Sequence, residues 1–457
     1  MRFRSFPKVT FHEPSLVSRP VISSATFARY AAMRVPRYTS YPTAPNFSEA
    51  VDQTDYRRWL RSIPPGDPVS LYLHIPFCRE MCWYCGCHTS VSRRQAPVSR
   101  YVSTLIREIS LVVSELGSRL PTAHVHWGGG SPTLLKSEHV QLIHNALKEG
   151  FNLDLLAENA VEIDPRTLTP ERATAFARAG VNRASLGVQS FEPKVQAAIN
   201  RVQSFEVTRA AVRMLRERGI PAINFDLVYG LPFQTLRSCL DTAELALRLQ
   251  PDRLAVFGYA HVPSFKPHQK KIEDAALPGV AERHEQAQAI GDALTAVGYR
   301  QIGLDHFALP GDDLALAEEA GTLHRNFQGY TVDPCRTLIG FGASAIGRLP
   351  RALVQNAKAI PDYERRVAAG KLATACGCQI GDEDERRGAI IEQLMCNYRA
   401  KVGGVDSHLA TLEADGLIRR SGDLIEVVDE ARPLVRTIAA SFDSYLPKSA
   451  TTHAVAV

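Results

Sequence analysis

The sequence predicts an α/β fold: a partial (β/α)6 barrel followed by a smaller, mainly helical C-terminal domain. Two observations predict the barrel. After residue 69, short runs rich in β-branched residues alternate six times with helix-length amphipathic stretches, which is the pattern of a parallel sheet covered by helices. Each strand candidate is also followed by small or polar residues, which a barrel gathers at the carboxyl edge of its strands. The length of 457 residues suggests two domains.

The individual elements follow from local patterns. Helical stretches lie between the strands, among them residues 98–116, 205–218 and 235–249. Gly150, Gly180 and Gly219 are expected just after helix ends. The segment from 260 to about 347 is expected to add one helix and loops. The strand candidates are residues 69–75, 123–127, 160–163, 183–188, 222–228 and 253–259.

The chain before the barrel divides into a basic leader and an arm. The first 40 residues contain seven Lys and Arg residues, and Glu13 is their only acid. A transit peptide has this composition, but we favour a leader on a bacterial cytoplasmic enzyme. Residues 36–42, Pro-Arg-Tyr-Thr-Ser-Tyr-Pro, are expected to form an extended arm. The predicted domains are residues 1–50 (leader and arm), 51–347 (barrel) and 348–457 (C-terminal domain).

The C-terminal segment has the element order of a winged helix. Helices are predicted over residues 384–399, 405–415 and 431–441, with a hairpin over 417–428 that turns at Ser421-Gly422. A DNA-binding role needs a basic surface. The hairpin offers only Arg419 and Arg420, and acids outnumber bases in the segment. We therefore predict a packing or lid domain and no nucleic-acid partner.

Bulk properties narrow the function further. The net charge of +5 is mild and compatible with an anionic substrate. Nine cysteines, an odd and clustered set, indicate a reducing compartment rather than a disulfide scaffold. No apolar run approaches the roughly 18 residues of a membrane span. A cytoplasmic location is expected.

Four cysteines within ten residues follow the first strand candidate. Cys78, Cys82, Cys85 and Cys87 have the spacing C-x3-C-x2-C-x-C. Structural zinc usually takes two separated ligand pairs, and ferredoxins use other spacings. The C-x3-C-x2-C part suits three corners of a [4Fe–4S] cube with one iron open to a small molecule, which indicates a catalytic cluster. The alternative is a disulfide pair or unrelated buried thiols.

Candidate cofactor-binding residues follow the second and third strands. Residues 128–133, Gly-Gly-Gly-Ser-Pro-Thr, do not match the dinucleotide motif G-x-G-x-x-G. Without Cβ atoms, this loop could receive the amino end of an amino-acid-like cofactor, although a simple tight turn is the alternative. Glu162 is placed for a ribose diol. Asp164 suits the same role or a surface helix cap.

Further candidates come from later strand ends and loops. Gln189 and Asp226 are natural hydrogen-bonding partners for a second adenosyl group, and Arg201 could meet a carboxylate. His74 precedes the cysteines in its strand, where a histidine is more often a core group than a catalyst. Gln328 lies in a polar stretch expected to form a loop over the mouth. His74 and Gln328 are the predicted catalytic residues.

Several motifs together resemble one enzyme family. Tyr72-Leu-His-Ile-Pro-Phe-Cys78 with C-x3-C-x2-C resembles the radical S-adenosylmethionine signature. Gly86-Cys87 and four further stretches narrow the resemblance to the oxygen-independent coproporphyrinogen III dehydrogenases, over about residues 25–446. These stretches are Trp127–Thr133, Arg37–Thr43, Asp226–Pro232 and Phe257–His261.

The resemblance implies a radical-SAM barrel with one [4Fe–4S] cluster and two S-adenosylmethionine molecules. Cys78, Cys82 and Cys85 would hold the cluster, while Cys87 matches a cysteine that is not a ligand. The cluster-bound S-adenosylmethionine would meet Tyr72, Gly129, Glu162 and Ile346. The second would meet Tyr84, Gly130, Ser131, Gln189, Arg201, Asp226 and Ala260.

The implied activity belongs to anaerobic haem and porphyrin biosynthesis. A 5′-deoxyadenosyl radical would take hydrogen from a propionate of coproporphyrinogen III, and loss of CO2 and an electron would leave a vinyl group. Two such steps give protoporphyrinogen IX. The expected partners are this substrate and an electron-donor protein, and the chain is expected to be a monomer.

Two alternative functions are a haem chaperone and a winged-helix redox regulator. Haem-chaperone paralogues resemble the family at the first three cysteines but lack the fourth and the Arg-Tyr-Thr-Ser-Tyr-Pro arm. Cys87 and residues 37–43 therefore favour the enzyme. A winged-helix redox regulator is disfavoured by the weak basic patch.

Overall fold

A twelve-stranded sheet forms the centre of the computed structural model, which describes residues 22–403 and 407–446. In chain order its strands are β1 (Val69–Ile75), β2 (Pro121–Gly129), β3 (Asn152–Ile163), β4 (Arg183–Gln189), β5 (Ala222–Tyr229), β6 (Arg253–Gly258), β7 (Arg300–Ile302), β8 (His306–Ala308), β9 (Thr337–Phe341), β10 (Ile346–Leu349), β11 (Ala352–Asn356) and β12 (Thr374–Gln379). Their spatial order is β12-β11-β10-β9-β1-β2-β3-β4-β5-β6-β8-β7.

The middle of the sheet is parallel. β9 pairs in parallel with β1, and β1 to β6 pair in parallel in sequence order. The strands at both edges, β7, β8 and β10 to β12, are antiparallel to their neighbours. Within the described residues, edge strands β12 and β7 do not pair with each other. The predicted partial barrel with six parallel strands is confirmed.

Helices connect and cover the parallel strands. Buried aliphatic and aromatic side chains between these helices and the sheet form the main core, which includes Leu71, Leu105 and Phe176. The helices are α1 (Ser24–Ala31), α2 (Gln53–Arg61), α3 (Gln95–Glu115), α4 (Ser137–Gly150), α5 (Pro170–Arg178), α6 (Pro193–Ala198), α7 (Phe205–Glu217), α8 (Leu236–Leu247), α9 (Val280–Ala296), α10 (Asp313–Ala320), α11 (Ile360–Ala368), α12 (Asp382–Asn397), α13 (Ser407–Ala414) and α14 (Val435–Ala440).

Some sequence expectations were wrong. The segment from 260 to 347 was expected to hold one helix and loops, but it contains α9, α10, β7 to β9 and a hairpin of His324–Asn326 with Gly329–Thr331. These strands span three to five residues, which is too short for alternation to be read. Gly180 and Gly219 follow helices with φ of 79° and 82°, as expected. Gly150 instead lies inside the last turn of α4.

The C-terminal segment has the predicted winged-helix order. α12 and α13 pack with a three-stranded sheet made of β13 (Arg399–Lys401), β14 (Ile418–Ser421) and β15 (Leu424–Val427). The β14–β15 hairpin turns at Gly422, which has φ of 60°. Part of the predicted helix 405–415 lies outside the described residues, and α13 covers 407–414. The predicted last helix is a 3-10 turn, 429–434, followed by α14.

The N-terminal arm packs against this C-terminal unit. Tyr30, Val35 and Tyr38 share a buried core with residues of α12 to α14 and β15. The Tyr38 hydroxyl donates to Asp443 at 3.1 Å, and Arg436 donates to the carbonyls of Val35 and Pro36 at 2.6 and 3.1 Å. The segment 36–42 has no helix, as expected, although α1 precedes it. The predicted leader falls largely on residues 1–21, outside the described range.

The predicted domain boundaries stay predictions. The boundary after residue 347 falls within β10, and β11 and β12 extend the main sheet beyond it. In the described ranges, no helix is both long enough and apolar enough to cross a membrane.

One buried carboxylate connects α3 to the ends of β9 and β11 and to α11. Glu108 of α3 is 2% exposed. It accepts hydrogen bonds from the Gly342 amide at 2.7 Å, the Asn356 amide at 2.6 Å and the Tyr363 hydroxyl at 2.8 Å. Burial raises the pKa of Glu108 to about 7, against the lowering effect of these three donors.

We expect Glu108→Ala to lower the free energy of unfolding by about 3 kcal/mol, because three buried donors lose their acceptor. The folded pKa lies above the ordinary value of 4.5, so the native chain binds more protons. Stability contributed by Glu108 should therefore fall as pH rises from about 4.5 through about 7, and the variant should lack this decline. Urea unfolding of both proteins measures these effects. The exposed Glu149→Ala serves as control, and a loss below about 0.5 kcal/mol for Glu108→Ala would contradict the assignment.

Candidate active site

Parallel pairing brings the strand ends together at one edge of the sheet. Ile75 at the end of β1 aligns with Gly129, Ile163 at the end of β3 aligns with Leu186, and Tyr229 aligns with Gly258. The loops that follow these strands therefore lie side by side. Most of the predicted site residues lie on these loops or near the strand ends.

Hydrogen bonds to the backbone of the cysteine loop, residues 78–87, hold the loop against its surroundings. The Trp83 amide donates to the Ile199 carbonyl at 2.9 Å. The imidazole Nε2 of His268 lies 2.8 Å from the Cys85 carbonyl, and the Lys266 ammonium donates to the Cys87 carbonyl at 3.0 Å. Cys82 is buried, Cys78 and Cys85 are partly buried, and Cys87 is exposed.

Positive charge surrounds the Cys82 thiol. Arg166 and Arg201 donate to its sulfur at 3.7 and 3.6 Å. A hydrogen bond from Cys87, with help from Lys266 and Arg201, lowers the pKa of Cys85 to about 7, whereas burial raises the pKa of Cys78 to about 12. Nearby guanidinium groups favour thiolates, the form that binds iron.

The donor set fits an iron–sulfur cube. Among residues 22–403 and 407–446, no three His, Cys, Asp or Glu side chains converge on one point as a single metal ion would require. In a cube each thiolate binds a different iron, so such convergence is not needed. The buried Nε of Arg201 has no hydrogen-bond partner among the described residues. Three thiolates beside a cationic group with a spare donor suit a cluster and an anionic ligand.

The glycine loop packs too closely for side chains. Gly129 has φ of 106°, and a Cβ there would lie 2.6 Å from the His74 ring. A Cβ at Gly130 would lie 2.6 Å from the Phe77 carbonyl oxygen. The Gly130 amide donates to the Ile75 carbonyl at 2.8 Å. The glycines therefore let the loop lie directly against β1 and the start of the cysteine loop.

Glu162 faces the glycine loop. Its carboxylate accepts from the Gly129 amide at 3.0 Å and lies 3.2 Å from His126 Nε2. The side chain is 37% exposed, so an oxygen can still meet a ligand. Tyr72 stacks on His126 with ring centroids 5.9 Å apart. Tyr72, Gly129 and Glu162, which were predicted to share a ligand, are thus brought together.

Asp164 is held by arginines. It accepts from Arg166 at 2.7 Å, and Arg201 lies 3.7 Å away. Burial would raise the pKa of Asp164, but these two guanidiniums lower it. Its oxygens are used within the protein, which disfavours ribose binding. The alternative of a surface helix cap is wrong, because Thr169 caps α5 and Asp164 is largely buried.

Two members of the predicted second set lie on β4 and β5: Gln189 ends β4, and Asp226 lies within β5, three residues before its end. Gln189 is 8% exposed and adopts φ of 68°. Arg201 donates to the Gly187 carbonyl at 2.7 Å. Asp226 accepts from Asn224 at 3.0 Å, and burial together with the charge of Glu162 raises the pKa of Asp226 to about 7.

The remaining predicted ligand-binding residues lie in loops or at the start of β10. The buried Ser131 hydroxyl lies 2.7 Å from Thr133, within a group of internal hydroxyls. Gln269 donates to the carbonyls of Tyr84 and Ala260 at 3.0 and 3.2 Å and so joins these two residues. Ile346, predicted for the first set, begins β10 and is partly buried.

The two predicted catalytic residues, His74 and Gln328, lie in different environments. His74 is 6% exposed, with Nδ1 2.9 Å from the Tyr72 hydroxyl and Nε2 3.0 Å from the His88 carbonyl. Burial lowers the pKa of His74, which favours the neutral imidazole. Gln328 lines a small cavity with His126 and Asp333. Both catalytic assignments stay predictions.

Sequence reasoning missed several groups that shape the site. Arg166, His268, Lys266 and Gln269 all contact the cysteine loop. Arg166 lies three residues beyond the end of β3, so the rule about strand ends could have found it. The other three lie in loops and turns without a local signal.

Comparisons with known proteins agree with this geometry. Residues 72–246 match the Radical SAM superfamily. The chain is 52% identical over 442 residues to the oxygen-independent coproporphyrinogen III oxidase of Bradyrhizobium diazoefficiens, covering 94% of this chain and 98% of that protein. The chain belongs to the oxygen-independent coproporphyrinogen III oxidase family. This is the dehydrogenase family that the sequence motifs predict.

Further members of the family support the assignment. The oxygen-independent coproporphyrinogen III oxidase of Paracoccus denitrificans is 41% identical over 437 residues, with 93% of this chain and 97% of that protein covered. The solved structure of coproporphyrinogen III oxidase HemN from Escherichia coli, a radical SAM enzyme, has a TM-score of 0.85 and 36% identity, covering 91% of this chain and 100% of that chain. Membership implies a [4Fe–4S] cluster and S-adenosylmethionine as cofactors.

We expect anaerobic reconstitution to load about four irons per chain, because the cysteine loop suits one cube. Cys78→Ser, Cys82→Ser and Cys85→Ser should each lose most of this iron and its visible absorbance. Iron analysis and spectroscopy measure both, with Cys378→Ser as control, since this thiol lies in β12 outside the loop. Full cluster retention in Cys82→Ser, or a stable zinc content instead of iron, would contradict the assignment.

Proposed function

We propose that this chain converts two propionate side chains of coproporphyrinogen III to vinyl groups without oxygen, giving protoporphyrinogen IX. The observation that carries the proposal is the 52% identity to a coproporphyrinogen III oxidase over 94% of the chain. The geometry supports it independently, because three thiolates, a glycine loop and strand-end carboxylates meet at one edge of the sheet. This function belongs to anaerobic haem and porphyrin biosynthesis.

We further propose two S-adenosylmethionine sites beside the cluster. Cys78, Cys82 and Cys85 would hold the cluster. The first S-adenosylmethionine would meet Tyr72, Gly129, Glu162 and Ile346. The second would meet Tyr84, Gly130, Ser131, Gln189, Arg201, Asp226 and Ala260. The joining of Tyr84 to Ala260 through Gln269 supports the second set.

The cofactors, when bound, supply a 5′-deoxyadenosyl radical that abstracts hydrogen from a propionate. The chain's own residues bind and orient. Glu162 would accept ribose hydroxyls through the remaining lone pairs of its two oxygens, which already meet His126 and the Gly129 amide. Arg201, with its spare buried donor, would pair with a carboxylate of the second molecule. Asp226 would accept hydrogen bonds from an adenosyl group.

Each decarboxylation is balanced by two electron transfers, one into the cofactor and one out of the substrate. Each propionate loses one hydrogen atom to the radical, then CO2 and one electron, and a carbon–carbon double bond forms. The lost electron needs a one-electron acceptor, and the cofactor needs an electron donor. We infer that a separate protein is the donor, and that the chain works as a cytoplasmic monomer.

We expect Glu162→Ala to weaken S-adenosylmethionine binding about tenfold or more without loss of the cluster. Removing charge-assisted hydrogen bonds costs about 1.5–3 kcal/mol. Calorimetry on the reconstituted protein measures the affinity, and the exposed Glu138→Ala is the control. An unchanged affinity would assign Glu162 a structural role only.

The proposed activity itself is tested by product analysis. Reconstituted protein with coproporphyrinogen III, S-adenosylmethionine and a reductant should release two CO2 and consume two S-adenosylmethionine per protoporphyrinogen IX formed. Cys87→Ser should keep its cluster, since this cysteine is not expected to be a ligand. Cleavage of S-adenosylmethionine without CO2 release, together with tight haem binding, would favour the chaperone function instead.

A further inference from the structure

Four arginines from four separate elements surround the carboxyl end of β6. This arginine cluster consists of Arg37 of the arm, Arg283 of α9, Arg325 of the hairpin and Arg436 of α14. The Arg37 guanidinium donates to the Gly258 carbonyl at 3.2 Å. The cluster therefore lies where the barrel mouth, the arm and the C-terminal unit meet.

Arg283 occupies space that only glycines provide. A Cβ at Gly230 would lie 2.8 Å from its Nη1, and a Cβ at Gly258 would lie 3.2 Å from its Nη2. Its guanidinium also lies 5.8 Å from the centre of the Tyr229 ring. The guanidinium is thus seated on the ends of β5 and β6, at the edge that holds the other site residues.

Arg325 is buried and held in place. It is 7% exposed, and its guanidinium lies 4.4 Å from the centre of the Tyr330 ring. Arg436 differs from it in role, because it donates to arm carbonyls and so fastens the arm. Burial and the charges of Arg37 and Arg325 lower the pKa of Arg436 to about 9. This shift shows that the cluster is rich in positive charge.

Within residues 22–403 and 407–446, carboxylates only partly balance this charge. Asp305 is the acid nearest to Arg325, at 4.0 Å, but its closer partner is His306 Nδ1 at 2.7 Å. Burial opposes the effect, yet His306, Arg325 and Arg37 together lower the pKa of Asp305 to about 2. Asp443 lies on the arm side, where it accepts from Tyr38. In the described part of the chain, the four guanidiniums of the cluster therefore outnumber Asp305 and Asp443.

Several guanidinium donors in the cluster are buried without a partner. Among the described residues, Nε of Arg283 and both Nε and Nη1 of Arg325 have no hydrogen-bond acceptor. A buried cationic donor without an acceptor is costly, about 1–3 kcal/mol or more. Such donors point to an anion that supplies the missing acceptors when it binds.

We propose that Arg283 and Arg325 bind propionate carboxylates of the porphyrinogen substrate, an inference that rests on the proposed function. A planar guanidinium matches a carboxylate with two parallel hydrogen bonds. Coproporphyrinogen III carries four propionates, and two remain in the product. Gly258 lies two residues before Ala260, which belongs to the proposed second S-adenosylmethionine site. Carboxylates held at the cluster would therefore place the macrocycle beside the reacting groups.

The test compares Arg325→Gln and Arg283→Gln with Arg216→Gln in the full reconstituted chain. Arg216 is the control, because it is partly buried like Arg283 but donates to the carbonyls of Leu249 and Gln250 before β6 begins. In Arg325→Gln and Arg283→Gln, the KM for coproporphyrinogen III should rise at least tenfold. The iron–sulfur cluster content, the S-adenosylmethionine affinity and the thermal unfolding of both variants should match those of the control. Arg283→Gln keeps the test valid if Arg325→Gln fails to fold.

A binding assay separates this proposal from the proposed function. Coproporphyrin III, a stable probe, and its tetramethyl ester are titrated by fluorescence. Wild-type protein should bind the free acid at least tenfold more tightly than the ester, and both variants should lose this preference. Variants that keep it would overturn the proposal. Arginine-dependent binding of the acid by a protein that forms no protoporphyrinogen IX would support the carboxylate site and overturn the proposed function.

Discussion

The parallel pairing of β1 to β6 is the constraint on which the site depends. Side chains alternate across a strand, so a shift of one residue in register would send every lumen-facing group to the helix side. In the observed register, Tyr72 reaches His126, and His126 reaches Glu162 across three strands. Trp127, between His126 and Gly128, is fully buried in the main core. The same pairing that buries the core therefore assembles the candidate site.

Buried arginines make the candidate site positively charged in two places. Arg166 and Arg201 lie at the Cys82 sulfur, and the arginine cluster lies at the end of β6. Both groups contain buried guanidinium donors that have no acceptor among the described residues. S-adenosylmethionine and a porphyrinogen both carry carboxylates, which suit such donors. The arm and the C-terminal unit each contribute an arginine, so the arrangement depends on parts of the chain far from the barrel in sequence.

The parts of the candidate site that depend on residues close together in the sequence could be predicted from local sequence patterns. The C-x3-C-x2-C spacing, the glycine loop and the strand-end residues Glu162 and Asp226 could be located because each follows a strand that alternation or β-branching reveals. β7 to β12 were missed because strands of three to six residues carry too little pattern. Gln269, Arg283 and Arg325 were missed for another reason. They reach the site through tertiary packing, and their neighbours in sequence carry no signal of it.

The most direct test of this account is an anaerobic crystal structure of the reconstituted chain with S-adenosylmethionine. The account predicts one four-iron cluster bonded to Cys78, Cys82 and Cys85. One S-adenosylmethionine should contact Glu162 and the glycine loop, and a second should lie between Gln189 and Asp226. A single metal ion at the cysteines, or S-adenosylmethionine bound away from the carboxyl edge of β1 to β6, would contradict it.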